Sequence, residues 1–168
     1  EENSLMKQKR VFLMCGVPGS GKSTWVRERV AKYGGYHISR DEIRFAILDE
    51  RGGDYFDYEN EVIRTFVSRI NELLDSDEQN VDIYVDATHL TNSSRNQIMR
   101  QLHLHDAYKI AVWFDIPLIV CKYRNNKRTG RARVPTETIE SMYNRASKPS
   151  KRDFDEVWTI DMEGKEYK

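Results

Sequence analysis

The chain has 168 residues, a length that fits one compact domain with a core of its own. Its 27 basic and 27 acidic side chains balance, so no global field marks it as a nucleic-acid or membrane binder, and any affinity for a polyanion must reside in a local patch. No apolar run approaches the roughly 18 residues of a membrane span, and the only cysteines, Cys15 and Cys121, fall in a strand-like and a helical stretch, the pattern of a reduced, cytoplasmic protein.

From the amino end, KQKRVFLMCGVPG (Lys7–Gly19) joins a charged start to an apolar stretch. That stretch is too short for a signal peptide and runs straight into glycines, so it is not read as one. Glu1 rather than Met stands first, which fits a chain preceded by a further segment. Arg10–Gly16 is predicted as a buried strand, Ser23–Tyr33 as a helix, Tyr36–Ser39 as a short strand and Asp41–Leu48 as a helix. Beyond a polar, glycine-bearing loop, Tyr58–Leu74 repeats apolar residues at i, i+3, i+4 (Val62, Ile63, Phe66, Val67, Ile70, Leu73, Leu74), the period of an amphipathic helix. Val81–Ala87 reads as a strand, Ser93–His105 as a helix and Tyr108–Ile116 as a strand. A helix is expected after Pro117, then a basic loop, a helix after Pro135 and a last strand at Glu156–Ile160. Strands alternating with helices imply one α/β domain spanning 1–168, with a core over about 10–161 and helices on both faces of a parallel sheet.

Three stretches carry chemistry. GVPGSGKS (Gly16–Ser23) fits G-x-x-x-x-G-K-[S/T] in full, between a strand and a helix. Gly16, Gly19 and Gly21 let the backbone turn so that amide hydrogens, Ser20's among them, face a phosphate. Lys22 reaches the outer phosphates, Ser23 is placed for Mg²⁺, and Thr24 opens the helix whose positive end faces the same anion. This predicts a nucleoside triphosphate site, with ATP and Mg²⁺ as cofactors. A guanine-reading N-K-x-D is missing, because Asn126 and Lys127 are followed by Arg128 and Thr129. The third strand ends at Asp86 and continues with Ala87 rather than the Glu that motor ATPases use on water. Asp86 reads either as a partner of Mg²⁺ or as a bare acid at a strand end.

SRDEIR (Ser39–Arg44) supplies a carboxylate, Asp41, at the carboxyl end of the second strand, where a base for an acceptor hydroxyl belongs. Arg44 lies three residues on, on the same helix face. An alternative reading makes Ser39 and Glu42 a capping box and Asp41 a helix-dipole residue. In CKYRNNKRTGRARVP (Cys121–Pro135), Lys122, Arg124, Lys127, Arg128, Arg131 and Arg133 stand without an acid, either to neutralise phosphoryl charge or as solvated surface. Arg124 and Arg128, four apart, are expected on one helix face. Tyr55, Phe56 and Tyr58 serve either to stack bases or to pack the long helix.

In order along the chain, these stretches resemble the polynucleotide 5′-hydroxyl kinase family: the P-loop with its trailing Trp25, SRDEIR, DATHLTNSSR, RNNKR with VP and SMY, and FDEVW, over about Arg10–Ile160. The resemblance implies a P-loop kinase fold, a three-layer sandwich on a five-stranded parallel sheet in order 2-3-1-4-5, with an arginine-rich lid over about 122–134. It implies Asp41 as general base, Lys22 and Ser23 on the ATP phosphates and Mg²⁺, and Arg44 on a phosphate of the acceptor strand. Asp86 would sit beside the metal or acceptor with Thr88 and His89 nearby, and Arg124 and Arg128 would belong to the lid. His89 stands where the family has Asn, and Ser39 replaces the Asn of its N-R-D element. No D-x-D-x-T phosphatase signature occurs, so the resemblance covers the kinase part alone. His89 is read equally as an acceptor contact or as a surface residue. The expected function is transfer of the γ-phosphate of ATP to a 5′-hydroxyl of DNA or RNA. Ten Lys and Arg between Lys122 and Arg152, against only Glu137 and Glu140, favour that acceptor. Neutral net charge favours the rival, a kinase of a small-molecule hydroxyl on a nucleoside, sugar or antibiotic. The remaining reading is an ATP-binding switch without transfer.

Overall fold

The first apolar run builds the centre of the molecule. In the computed structural model, which describes residues 8–168, strand β1 (Arg10–Cys15) is shielded from Val11 onward. Residues 1–7, including the start of the leader-like opening, lie outside the described residues. Side chains alternate across β1, so Val11, Leu13 and Cys15 face one side and Phe12 and Met14 the other, each joining a separate apolar cluster.

The chain continues as α1 (Lys22–Tyr33), β2 (Tyr36–Ser39), α2 (Arg40–Arg51), α3 (Glu59–Asp75) and β3 (Asp82–Asp86). Then follow α4 (Asn92–Gln101), β4 (Tyr108–Phe114), α5 (Leu118–Asn126), a 3-10 turn at Gly130–Ala132, α6 (Thr136–Arg145), β5 (Glu156–Ile160) and β6 (Glu166–Tyr167). The sheet order is β2-β3-β1-β4-β5-β6. The first five strands run parallel in the expected 2-3-1-4-5 order. On one face α1, α5 and α6 place Trp25, Val26, Cys121 and Ile139 against Phe12, Tyr84, Val112 and Trp158. On the other, α2, α3 and α4 place Ile43, Val62, Phe66, Ile70 and Ile98 against Leu13, Ile83 and Val85.

Three expectations change. The sheet has six strands rather than five, because β6 returns antiparallel onto β5, pairing Tyr167 with Thr159 and Glu166 with Ile160. Asp161 folds that return by accepting bonds from the amides of Glu163 and Lys165, and a two-residue strand has no alternation to be read. Helix α4 stops at Gln101, short of His105. Leu102 turns extended into the core, the Asn71 side chain takes the His103 amide at 2.7 Å, and the rings of His103 and His105 both bond Asp75. Helix α5 ends at Asn126, so Arg128 sits past it in a tightened turn rather than on one helical face with Arg124. Among the described residues no helix is long and apolar enough to cross a membrane.

Candidate active site

Parallel strands end at one edge of a sheet, and ligands settle in the crevice beyond their carboxyl ends. Here β1 runs directly into the glycine loop, whose Gly16 amide bonds the Thr88 carbonyl just past β3 at 2.9 Å. Thr88 thus joins the loop through its backbone. The loop needs its glycines: Gly19 has φ +83° and a Cβ there would strike the Cys121 carbonyl oxygen, while Gly21 has φ +96° and caps α1. The buried Lys22 ammonium donates to the carbonyls of Gly16 (2.7 Å) and Val17 (3.0 Å). Ser20 Oγ is buried with no partner among the described residues. Thr24 lies exposed in the first turn of α1, where Arg27 reaches its hydroxyl at 3.4 Å.

Asp86 ends β3 buried. Its Oδ2 accepts from the Ser23 hydroxyl at 2.8 Å and faces the His37 ring Nε2 at 2.7 Å. Burial would raise this carboxyl, but the His37 bond, the Lys22 charge and the Ser23 bond hold it below the usual carboxylate range. Sequence reasoning missed His37. Its only signal was a polar ring within a short strand, and its meaning depends on β2 pairing β3 so that Ser39 lies opposite Asp86.

Past β2, Ser39 caps α2 by accepting from the Glu42 amide at 3.2 Å; among the described residues no return bond from Glu42 closes the box. Asp41 follows in the first turn with its side chain 58% exposed. Its Oδ1 accepts from Arg44 Nη1 (2.5 Å) and from the Tyr55 hydroxyl (3.0 Å). Arg44 is buried and also grips both oxygens of Glu59. Burial, with the nearby Asp41 charge, pushes the Tyr55 phenol up to about 12, so it stays a donor. Of the three loop aromatics, Tyr58 packs on the core, Tyr55 serves this network, and Phe56 stands 69% exposed with its ring edge-on to Tyr55 at 4.6 Å.

His89 is 3% exposed, which corrects its reading as a surface residue. Its φ of +41° turns the ring inward, where Nδ1 lies 2.7 Å from the Met14 carbonyl and the ring stacks on Phe66. The loop after it is clamped by Arg95, which is fully buried and donates to the His89 carbonyl, Asn92 and Ser147.

The basic segment divides. Arg124 Nη1 reaches the Ser20 carbonyl at 3.4 Å, and Arg128 is exposed. Arg131 pairs with Asp49 on α2, and Lys122 pairs with Glu140. Burial pushes the Lys22 ammonium below its ordinary range, opposed by the charges of Asp86 and Asp41 and reinforced by Arg128. Both cysteines are buried free thiols, and burial pushes Cys15 up to about 12, which makes it inert.

A family described as AAA domain matches residues 11–149. Among solved structures, a putative kinase from Chloroflexus aurantiacus J-10-fl superposes with a TM-score of 0.73 at 17% identity, covering 93% of this chain and 86% of that one. An unliganded sugar kinase from Janibacter sp. HTCC2649 gives 0.65 at 19% identity, covering 92% and 86%. A chain of the Pnkp1/Rnl/Hen1 RNA repair complex gives 0.66 at 24% identity, covering 83% of this chain but 44% of that one. At these identities the likeness is one of fold.

Proposed function

The chain belongs to the AAA domain family and has a kinase-like P-loop fold, and we propose that it transfers the γ-phosphate of ATP to a 5′-hydroxyl of DNA or RNA. The observation that carries the reading is the Asp41 carboxylate, held through Oδ1 by Arg44 and Tyr55 just past the end of β2, in a sheet whose β1 runs into a phosphate cradle built on Lys22, Ser23 and Asp86. The residues fit a triphosphate: the loop presents amides and Lys22, and the orphaned Ser20 hydroxyl lies in the same cradle. Ser23 and Asp86 are hard oxygen donors and suit Mg²⁺, which when bound neutralises the outer phosphates.

The chain's own residues then do the following. Lys22 and the loop amides hold the phosphates. Asp41, fixed through Oδ1, keeps Oδ2 for the proton of the acceptor hydroxyl as its oxygen bonds the γ-phosphorus and ADP departs. Arg124 and Arg128, in a lid over about 122–134, offset charge that develops on the phosphates. Arg44 spends four hydrogen bonds on Asp41, Tyr55 and Glu59, leaving one N–H for an acceptor phosphate. It is chiefly a positioning residue for Asp41.

Two features support a polynucleotide acceptor. Exposed Phe56 offers a flat face beside the Asp41 network. Residues 147–152 start beside the 88–91 loop, where the Ser147 amide bonds the Leu90 carbonyl, and bear Lys148, Lys151 and Arg152, which form no ion pair among the described residues. A second reading, transfer to a small-molecule hydroxyl, draws on the ion pairs that neutralise Lys122 and Arg131 within the basic segment. The deciding experiment follows label from γ-labelled Mg·ATP onto a short strand bearing a 5′-hydroxyl, with the 5′-phosphorylated strand as control and nucleosides and sugars alongside. Label on the 5′-hydroxyl strand alone is the expected result. Label only on a small molecule selects the second reading, and ATP turnover with no labelled acceptor leaves a switch.

A further inference from the structure

His89 and Arg40 each bury a nitrogen that neither the phosphate cradle nor the Asp41 network employs. The Met14 carbonyl can only accept, so His89 Nδ1 carries the hydrogen and Nε2 presents a lone pair. That Nε2 is buried without a partner among the described residues. Protonation does not remove the lone pair near neutral pH, because burial, with the charge of Arg40, pushes the ring down to about 3. Arg40 Nε, whose hydrogen can only be donated, is likewise buried without a partner among the described residues. Phe66 holds both: the Arg40 guanidinium lies 4.9 Å over its ring, and the His89 ring stacks on it with centroids 6.5 Å apart.

A buried polar atom left unsatisfied costs about 1–3 kcal/mol, and native sites supply such atoms with a ligand or water. The chemistry of this pair is selective. A carboxylate or phosphate oxygen satisfies Arg40 but meets a lone pair at His89, and an ammonium satisfies His89 but is repelled by Arg40. A hydroxyl does both, accepting from Arg40 Nε–H and donating to His89 Nε2. The position suits an acceptor: Arg40 precedes Asp41 on α2, and His89 follows Asp86 by three residues, with the charges of Asp86 and Lys22 felt at its ring.

We propose that Arg40 and His89 form a subsite for a second, non-reacting hydroxyl of the acceptor, beside the hydroxyl that Asp41 deprotonates. The inference rests on the phosphotransferase reading and narrows it. In a polynucleotide the unesterified hydroxyl nearest the 5′ end is the 2′-hydroxyl of the first ribose, so the subsite selects a ribonucleotide there. In a nucleoside or sugar it selects the hydroxylated compound over its deoxy counterpart.

The test uses the full chain with Mg·ATP and matched acceptors: 5′-hydroxyl oligonucleotides whose first sugar is ribose or 2′-deoxyribose, and nucleosides and sugars in hydroxylated and deoxy pairs. The expected result is a kcat/KM ratio of about tenfold or more for the hydroxylated member. His89→Phe, which keeps the ring stack, and Arg40→Met should each bring the ratio near one while the KM for ATP holds. Thermal unfolding and ATP binding identify a variant that has not folded, and the wild-type ratio stands without either. A wild-type ratio near one overturns the subsite and leaves phosphoryl transfer intact. So does a ratio unchanged in both folded variants, or a crystal structure in which a water bridges the two nitrogens with acceptor bound. Absence of transfer to every acceptor overturns the phosphotransferase reading and the subsite together.

Discussion

Asp41 has one oxygen committed to Arg44 and Tyr55 and, among the described residues, the other open, an arrangement that would fix the proposed base without consuming it. Asp41→Asn keeps the shape and removes the basicity. Transfer should fall by about 10²–10⁴-fold with ATP binding nearly unchanged, checked by single-turnover transfer beside a nucleotide titration. Near wild-type transfer would remove Asp41 from that role. His37 acts one step further out, since its ring orients the Asp86 oxygen that also holds Ser23. His37→Phe should weaken Mg²⁺-dependent ADP binding by about 10–100-fold with metal-free binding preserved, which calorimetry at several Mg²⁺ concentrations would read. Equal losses with and without metal would make His37 a packing residue only. His89 carries a pH signature in stability. Folded, it titrates at about 3, and unfolded near 6.5. Between those values the unfolded chain binds more protons, so stability is full above about pH 6.5 and declines as the pH falls toward 3. At pH 5 the loss is on the order of 2 kcal/mol. Denaturant unfolding at pH 7 and pH 5 should show that gap in the wild type and a smaller one in His89→Asn; equal gaps would refute the assignment.

At the scale of elements, α4 matters because its amino end anchors the loop that holds Thr88 and His89. Thr91 and Ser94 exchange side-chain and backbone bonds in a full capping box, and Arg95 returns to the His89 carbonyl. Thr91→Ala should cost about 1 kcal/mol of stability. Because the loop is tied to Gly16 through Thr88, hydrogen exchange should also quicken at residues 88–91; a stability loss without faster exchange there would confine Thr91 to capping. The long helices and core strands were legible in the sequence because their apolar periods match what they bury: Val62, Phe66 and Ile70 fall where α3 meets the sheet. The P-loop was legible because its spacing is its geometry. Elements governed by side-chain bonds were not. The end of α4 depends on Asn71 and Asp75, about 30 residues upstream, and β6 on a turn organised by Asp161. The inward ring of His89 and the bond of His37 to Asp86 exist only after distant segments meet, so no local pattern announces them.

For the molecule as a whole, balanced charge means that recognition must be local. The cations Lys148, Lys151 and Arg152 continue past the 88–91 loop, and a strand tracking them should bind less well as salt rises. Reversing all three to Glu should lower the slope of log affinity against log salt by about one for each phosphate that is no longer neutralised, with the KM for ATP unchanged. An unchanged slope would show that the strand takes another path. The sheet order carries a wider consequence. The glycine loop leaves β1 with a strand on either side, whereas α2 and the residues beside it follow β2 at the sheet margin. The phosphate loop is thus locked within the interior, whereas Asp41, the proposed base, hangs from an edge that can be rebuilt without disturbing it. A lineage with this arrangement can keep its phosphate loop unchanged while the segment from Arg40 to Tyr58 is exchanged, which makes the margin of the sheet a place where descendants can diverge.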